Sequence, residues 1–141
     1  MIRDNTKQTT LWTRIESTAG PGVPDAHALS DGVSVWAELK VARGNRVLLS
    51  KFQVAWALRY RRFGGVSWII VYPVTKRPPE YFSAPSKKPP ILIYQGSQAH
   101  DLAEQGIALR PHAMIDHPYD WSAFSATLFS ACSAPSADSG T

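Results

Sequence analysis

The dipeptide Asp31-Gly32, set between two extended and apolar-rich runs, constrains this chain more than any other feature. Asp-Gly in that setting signals a two-residue hairpin loop, which pairs Ser30 with Val33 and fixes the register outward from there. Counting back, Asp25 falls opposite Glu38. Directly opposed residues on antiparallel strands share a face, with β-carbons about 4.5–5.5 Å apart, so the two carboxylates are expected side by side. Strand alternation places Ser34, Trp36, Glu38 and Lys40 on one face. Val33, Val35, Ala37, Leu39 and Val41 take the other, which is expected to be core.

Like charges opposed in this way cost on the order of 0.2–1 kcal/mol unless something cationic fills the gap. A divalent ion would fill it. Hard oxygen ligands with no Cys or paired His nearby favour Mg²⁺ or Mn²⁺ over Zn²⁺. An ordinary exposed hairpin in which Lys40 neutralises Glu38 is the plainer alternative.

Around this hairpin the chain reads as follows. Leu11, Trp12 and Ile15 suggest a first helix over residues 4–16, capped by Asp4 or Asn5 and ended by Glu16. Ala19-Gly20-Pro21-Gly22 is a breaker run leading into a strand at about Val23. Ala42 to Arg46 form a basic loop. Ser50 caps a helix that runs to Phe63 before Gly64-Gly65 stops it. At 100° per residue Phe52, Trp56, Tyr60 and Phe63 make its apolar stripe, with Gln53 at the edge and able to face the sheet. Ser67 to Val74 is apolar throughout, as in a central strand covered on both faces. A helix between two strands implies a crossover, hence an α/β fold with a mixed β-sheet flanked by helices.

Residues 75–90 (TKRPPEYFSAPSKKPP) read as a long exposed basic loop able to touch DNA, or else as a mobile insertion kept soluble by its charges. Ile91 to Tyr94 is a further strand, Ser97 to Gln105 a short helix closed by Gly106, and Asp120 to Phe129 a last helix capped by Asp120. One domain over residues 1–131 is expected, with a flexible tail over 132–141.

A chain of 141 residues with 44% hydrophobic content fits a single core. Net charge +4 leans towards an anionic partner. The single cysteine, Cys132, forms no internal disulfide and suits a reducing compartment, so a soluble cytoplasmic protein is expected. The N-terminus lacks an apolar h-region, and no stretch approaches the ~18 apolar residues of a membrane span. There is no glycine-rich phosphate loop, CxxC pair, GxSxG elbow or helical His pair. His27, expected opposite Trp36, is either an exposed hairpin histidine or close to substrate. The five tryptophans read as core, with Trp36 the candidate exception as a stacking platform.

Taken together, Glu16, Gly22-Val23-Pro24-Asp25, Glu38-Leu39-Lys40, Ser50 and Gln53 resemble the PD-(D/E)XK nuclease superfamily. Within it the chain is most similar to stand-alone VRR-NUC and Holliday-junction-resolvase-like nucleases, whose pattern runs from a helical Glu through GxPD and ExK to a Gln on the next helix. Arg61-Arg62-Phe63-Gly64-Gly65 also looks like the archaeal Holliday junction resolvases. The resemblance covers roughly residues 11–74. The basic, proline-rich insertion after Val74 departs from it.

The resemblance implies phosphodiester hydrolysis. Asp25, Glu38 and the Leu39 carbonyl would hold Mg²⁺, with Mn²⁺ able to substitute, and Glu16 would help through water or a second ion. Lys40 would position the attacking water and Gln53 would hydrogen-bond near it, while Ser50 reads more simply as a helix cap. Arg43, Arg46, Lys51, Arg59 and Arg62 would supply a basic rim for the phosphate backbone. The implied protein is a homodimeric, phage or mobile-element endonuclease acting on branched or structured DNA. A non-cleaving nucleic-acid-binding module and a sequence-specific restriction-type enzyme are the alternatives.

Overall fold

In the computed structural model, which describes residues 1–16, 20–83 and 87–138 and the side chains as far as Ser130, six strands form one sheet. They are β1 (Leu11–Arg14), β2 (Ala26–Ser30), β3 (Val33–Arg43), β4 (Ser67–Val74), β5 (Ile91–Gln95) and β6 (Ala113–Ile115), lying side by side in that order. Only the β3–β4 pair is parallel, and α2 (Lys51–Arg62) makes the crossover between its strands. The expected mixed α/β sheet is therefore present.

The Asp31-Gly32 turn behaves as its sequence requires. Asp31 and Gly32 both take positive φ (51° and 79°), and Ser30 pairs with Val33. The register runs from there through His27 opposite Trp36 to Ala26 opposite Ala37. One more step brings Asp25 level with Glu38.

Two helical layers cover the sheet. Phe124 and Leu128 of α4 (Trp121–Asp138) pack on Ala28, Val35, Ala37, Trp68, Ile70 and Ile93. Ala57 of α2, with Ala99 and Leu102 of α3 (Ala99–Gln105), packs on Ala42, Ile69, Val71, Leu92 and Tyr94. β4 is buried on both faces, as its unbroken apolar run predicts. Asp120 accepts a hydrogen bond from Ala123 N (3.0 Å) and so caps α4 as expected. That helix runs past Phe129 to Asp138. Residues 132–138 of the expected flexible tail are thus part of α4, and residues 139–141 lie outside the described residues.

Several expectations change. Residues 4–16 are not one helix: α1 (Ile2–Thr6) ends early and β1 follows, pairing with β2 from Leu11 opposite Leu29 to Arg14 opposite Ala26. Leu11, Trp12 and Ile15 fit either period, and Thr6, Thr9 and Thr10 turn the chain. Trp12 Nε1 donates to Thr6 Oγ1 (2.9 Å) and ties the strand back to α1.

The face expected to be core is covered only in part, because α4 lies over Val35 and Ala37 but leaves Leu39 and Val41 exposed (44% and 52%). The opposite, charged face is not a solvent face, since α2 covers it and Glu38 is 6% exposed. On α2 itself the packed side is Gln53, Val54, Trp56, Ala57 and Tyr60, whereas Phe52 and Phe63 point to solvent.

The proline-rich loop, whose residues 84–86 lie outside the described set, is pinned rather than loose at Tyr81 and Phe82. Both rings pack on the α2–α3 core, and the Tyr81 hydroxyl donates to the Ile107 carbonyl. Its lysines and Arg77 remain exposed. No helix among the described residues is long and apolar enough to cross a membrane.

Candidate active site

The acidic pair sits where the hairpin meets the N-terminus of α2. Ser50 caps that helix: its Oγ accepts from Gln53 N (3.1 Å), while Gln53 Oε1 accepts from Ser50 N (2.9 Å). This capping box places the Gln53 side chain over β3 and settles its orientation. Oε1 also accepts from Lys40 Nζ (3.2 Å), so Nε2 is the group that donates to Glu38 Oε2 (2.9 Å). Lys40 Nζ lies 3.4 Å from that same carboxylate oxygen. Glu38, Lys40 and Gln53 thus form a closed triangle, two members from one strand face and the third from the helix above it.

Asp25 enters from the loop before β2. Its Oδ2 accepts the Leu39 amide N–H (3.0 Å), which holds the carboxyl beside β3. Gly22 makes that approach possible. It sits at φ +86°, and a Cβ there would lie 2.2 Å from the Phe52 carbonyl oxygen, so the loop presses directly on the first turn of α2. Gly22→Ala is expected to destabilise the protein by at least about 1–3 kcal/mol, the cost of left-handed backbone strain alone. Thermal denaturation checks this, and an unchanged Tm would mean that the loop can move off the helix freely.

The electrostatics follow from this geometry. Burial pushes the Glu38 carboxyl up from its usual 4.5 to about 7, the neighbouring Asp25 charge adds to the rise, and Lys40 opposes it without cancelling it. Two adjacent carboxylates, one buried, are therefore undercompensated by the protein's own cation. The donors are hard oxygens, and the Leu39 main chain lies between them, a set that fits Mg²⁺ or Mn²⁺.

Glu16 follows β1 rather than ending a helix; it lines one cavity with Asp25, Arg14 and Leu39, while its carboxylate does not come within 4.8 Å of both Asp25 and Glu38. Among the described residues, the His, Asp and Glu ligand atoms that come within 4.8 Å of one another as a trio are those of His100, Asp101 and Glu104, all exposed. These are surface pairings on α3, with one carboxylate on each His100 ring nitrogen (3.6 and 3.8 Å).

The expected basic rim is split. Lys51 opens α2 beside the site, its Nζ 5.4 Å from the Phe52 ring centre. Arg59 and Arg62 stand roughly 12 and 16 Å further along the helix axis. Arg43 ends β3 and bridges to Arg46, roughly 10 Å beyond Lys40 along the strand. His27 meets Trp36 edge-on (5.1 Å), Trp36 meets Trp56 (5.8 Å), and Trp56 stacks on Tyr60 (4.6 Å). Trp36 is thus a wall between the sheet and α2 rather than an open platform. Sequence reasoning missed Arg3 and Arg14, which line a cavity together with Asp25, Glu16 and Leu39.

No family model matches the sequence, and no curated protein matches it. Among solved structures the chain is similar to Hjc of Archaeoglobus fulgidus, "a Holliday junction resolvase from an archaeal hyperthermophile", at 17% identity and a TM-score of 0.39, over 75% of this chain and 93% of that one. A likeness so distant carries no argument about chemistry, which rests on the side chains themselves.

Proposed function

We propose that the protein is a Mg²⁺-dependent DNA endonuclease that hydrolyses phosphodiester bonds in branched or structured DNA, working as a homodimer. The observation that carries this reading is the closed Glu38–Gln53–Lys40 triangle beside Asp25. A protein that only grips nucleic acid has no use for a buried acid beside a second carboxylate, since both repel phosphate.

Asp25, Glu38 and the Leu39 carbonyl would hold the ion. When bound, it supplies Lewis acidity and offsets charge that builds on the scissile phosphate. Lys40 has three N–H groups, of which Gln53 and Glu38 engage two, and the third is left for an incoming water or a phosphate oxygen. With a side chain only 20% exposed, its ammonium is held in place rather than waving in solvent. Gln53 fixes the spacing of Lys40 and Glu38, and Ser50 fixes Gln53. Glu16, which shares a cavity with Asp25, would help through water or a second ion.

The test is a panel of linear, flapped and four-way-junction DNA, incubated with Mg²⁺ and with EDTA. Cleavage of branched substrates that needs Mg²⁺ is the expected result. Binding without cleavage under any divalent ion would favour a non-cleaving module of the same fold. Cutting of linear duplex at one sequence would favour a restriction-type enzyme.

A further inference from the structure

Away from α2, Asp25 but not Glu38 lines a cavity of about 660 Å³, together with Arg3, Trp12, Arg14, Glu16 and Leu39 among others. Strand register explains why these residues meet. Arg14 pairs with Ala26, and the next residue, Ile15, donates its N–H to the Asp25 carbonyl (2.7 Å), so Arg14 is fixed one step from the acidic loop. Leu39 follows Glu38 and takes the opposite face of β3. It is exposed there because α4 stops short of it. α1 supplies Arg3 from above.

The chemistry of the lining is uneven in an informative way. Arg3 and Arg14 make no ion pair or side-chain hydrogen bond with any described residue, although Glu16 lines the same cavity. Two uncommitted guanidinium groups beside Asp25 call for a ligand that is anionic at one end. The exposed Leu39 and the half-buried Trp12 ring give the cavity an apolar wall, which an inorganic anion would not need. A volume of this order is usual for an organic ligand. Arg59 and Arg62, by contrast, lie at the far end of α2.

We infer that this cavity holds the nucleotide next to the cut, its backbone phosphate on Arg14 and Arg3 and its sugar and base against Leu39 and Trp12. The inference rests on the nuclease reading for the word "cut", but the binding of a phosphodiester strand is tested without it. Arg14 is then a positioning residue. It seats the strand so that the neighbouring phosphate reaches Asp25, the carboxylate that lines this cavity, and it takes no part in proton transfer.

The experiment measures binding of a fluorescently labelled flapped DNA by anisotropy in EDTA, where no cleavage intervenes, over a range of salt. Wild type is compared with Arg14→Ala, Arg3→Ala, Arg14→Lys and Lys7→Ala, the last removing an equal charge from the end of α1 outside the cavity. Arg14→Ala is expected to weaken binding about tenfold or more, the loss of a charge-assisted contact. It should also reduce the slope of log K against log salt by about one. Arg3→Ala should move both quantities the same way, Lys7→Ala should stay close to wild type, and Arg14→Lys should recover most of the affinity.

Where wild type cleaves in Mg²⁺, Arg14→Ala should raise KM with little change in kcat. If Arg14→Ala and Lys7→Ala weaken binding equally, the effect is one of net charge and the cavity is not the site. If wild type cleaves DNA while Arg14→Ala and Arg3→Ala leave KM and the salt slope unchanged, the inference falls and the nuclease reading stands. If nothing is cleaved but the arginine variants lose binding, the nuclease reading falls and the strand-binding cavity stands. Should Arg14→Ala prove unstable, Arg14→Lys and Arg3→Ala carry the same comparison.

Discussion

Lys40→Ala is expected to lower DNA cleavage in Mg²⁺ by at least about a hundredfold, the contribution typical of a positioned proton-transfer group, while DNA affinity changes little. The ammonium is held by two fixed acceptors, Gln53 Oε1 and Glu38 Oε2, so its loss removes a placed donor rather than one of many surface charges. Lys40→Arg should not restore the rate, because a guanidinium stays protonated and its planar fork does not fit the space of an ammonium. Gln53→Ala should be milder, with kcat reduced and KM nearly constant, since the amide acts only through Lys40 and Glu38. Single-turnover cleavage of a flapped substrate measures all three. A Lys40→Ala protein that cuts at the wild-type rate would remove the lysine from the chemistry.

The parts of this site that were legible in the sequence are those set by local rules. Asp-Gly fixes a turn, the turn fixes a register, and the register puts Asp25 level with Glu38 without knowledge of the rest of the fold. Ser50 with Gln53 three residues on is a capping signature, and the same hydrogen bonds that start α2 aim Gln53 at the sheet.

What was not legible depends on which layer covers which half of a strand. Leu39 and Val41 alternate correctly with Val35 and Ala37, yet only the latter pair lies under α4. Leu11-Trp12-Thr13-Arg14 satisfies both periods over so short a run, and only its partner, β2, decides in favour of a strand. That one misreading hid where β1 delivers its side chains: Arg14 and Glu16 come to the same cavity that Asp25 and Leu39 line.

Glu38→Gln is expected to raise the stability of the metal-free protein at pH 8 while leaving it nearly unchanged near pH 4.5. The sign follows from the shift. Burial and the Asp25 charge lift the Glu38 carboxyl to about 7 in the folded protein, against 4.5 for an ordinary glutamate. The folded state therefore holds this proton more tightly than the unfolded chain, and the group's stabilising contribution is fully present below pH 4.5. It is lost as pH rises towards and through 7. At about 1.36 kcal/mol per pK unit the loss is on the order of 3 kcal/mol, which corresponds to a fall in Tm of roughly 5–10 °C for a chain of this size.

Glutamine keeps the shape and cannot ionise, so the difference in Tm between variant and wild type should open across that pH window. Carboxylates remote from Glu38 titrate in both proteins and cancel in the difference. Adding Mg²⁺ at pH 8 should raise the wild-type Tm and leave Glu38→Gln nearly unmoved, because a cation relieves the same undercompensated pair that the substitution neutralises. Parallel Tm profiles for the two proteins from pH 4.5 to 8, with no Mg²⁺ response in either, would mean that Glu38 is an inert buried acid and that no ion belongs beside it.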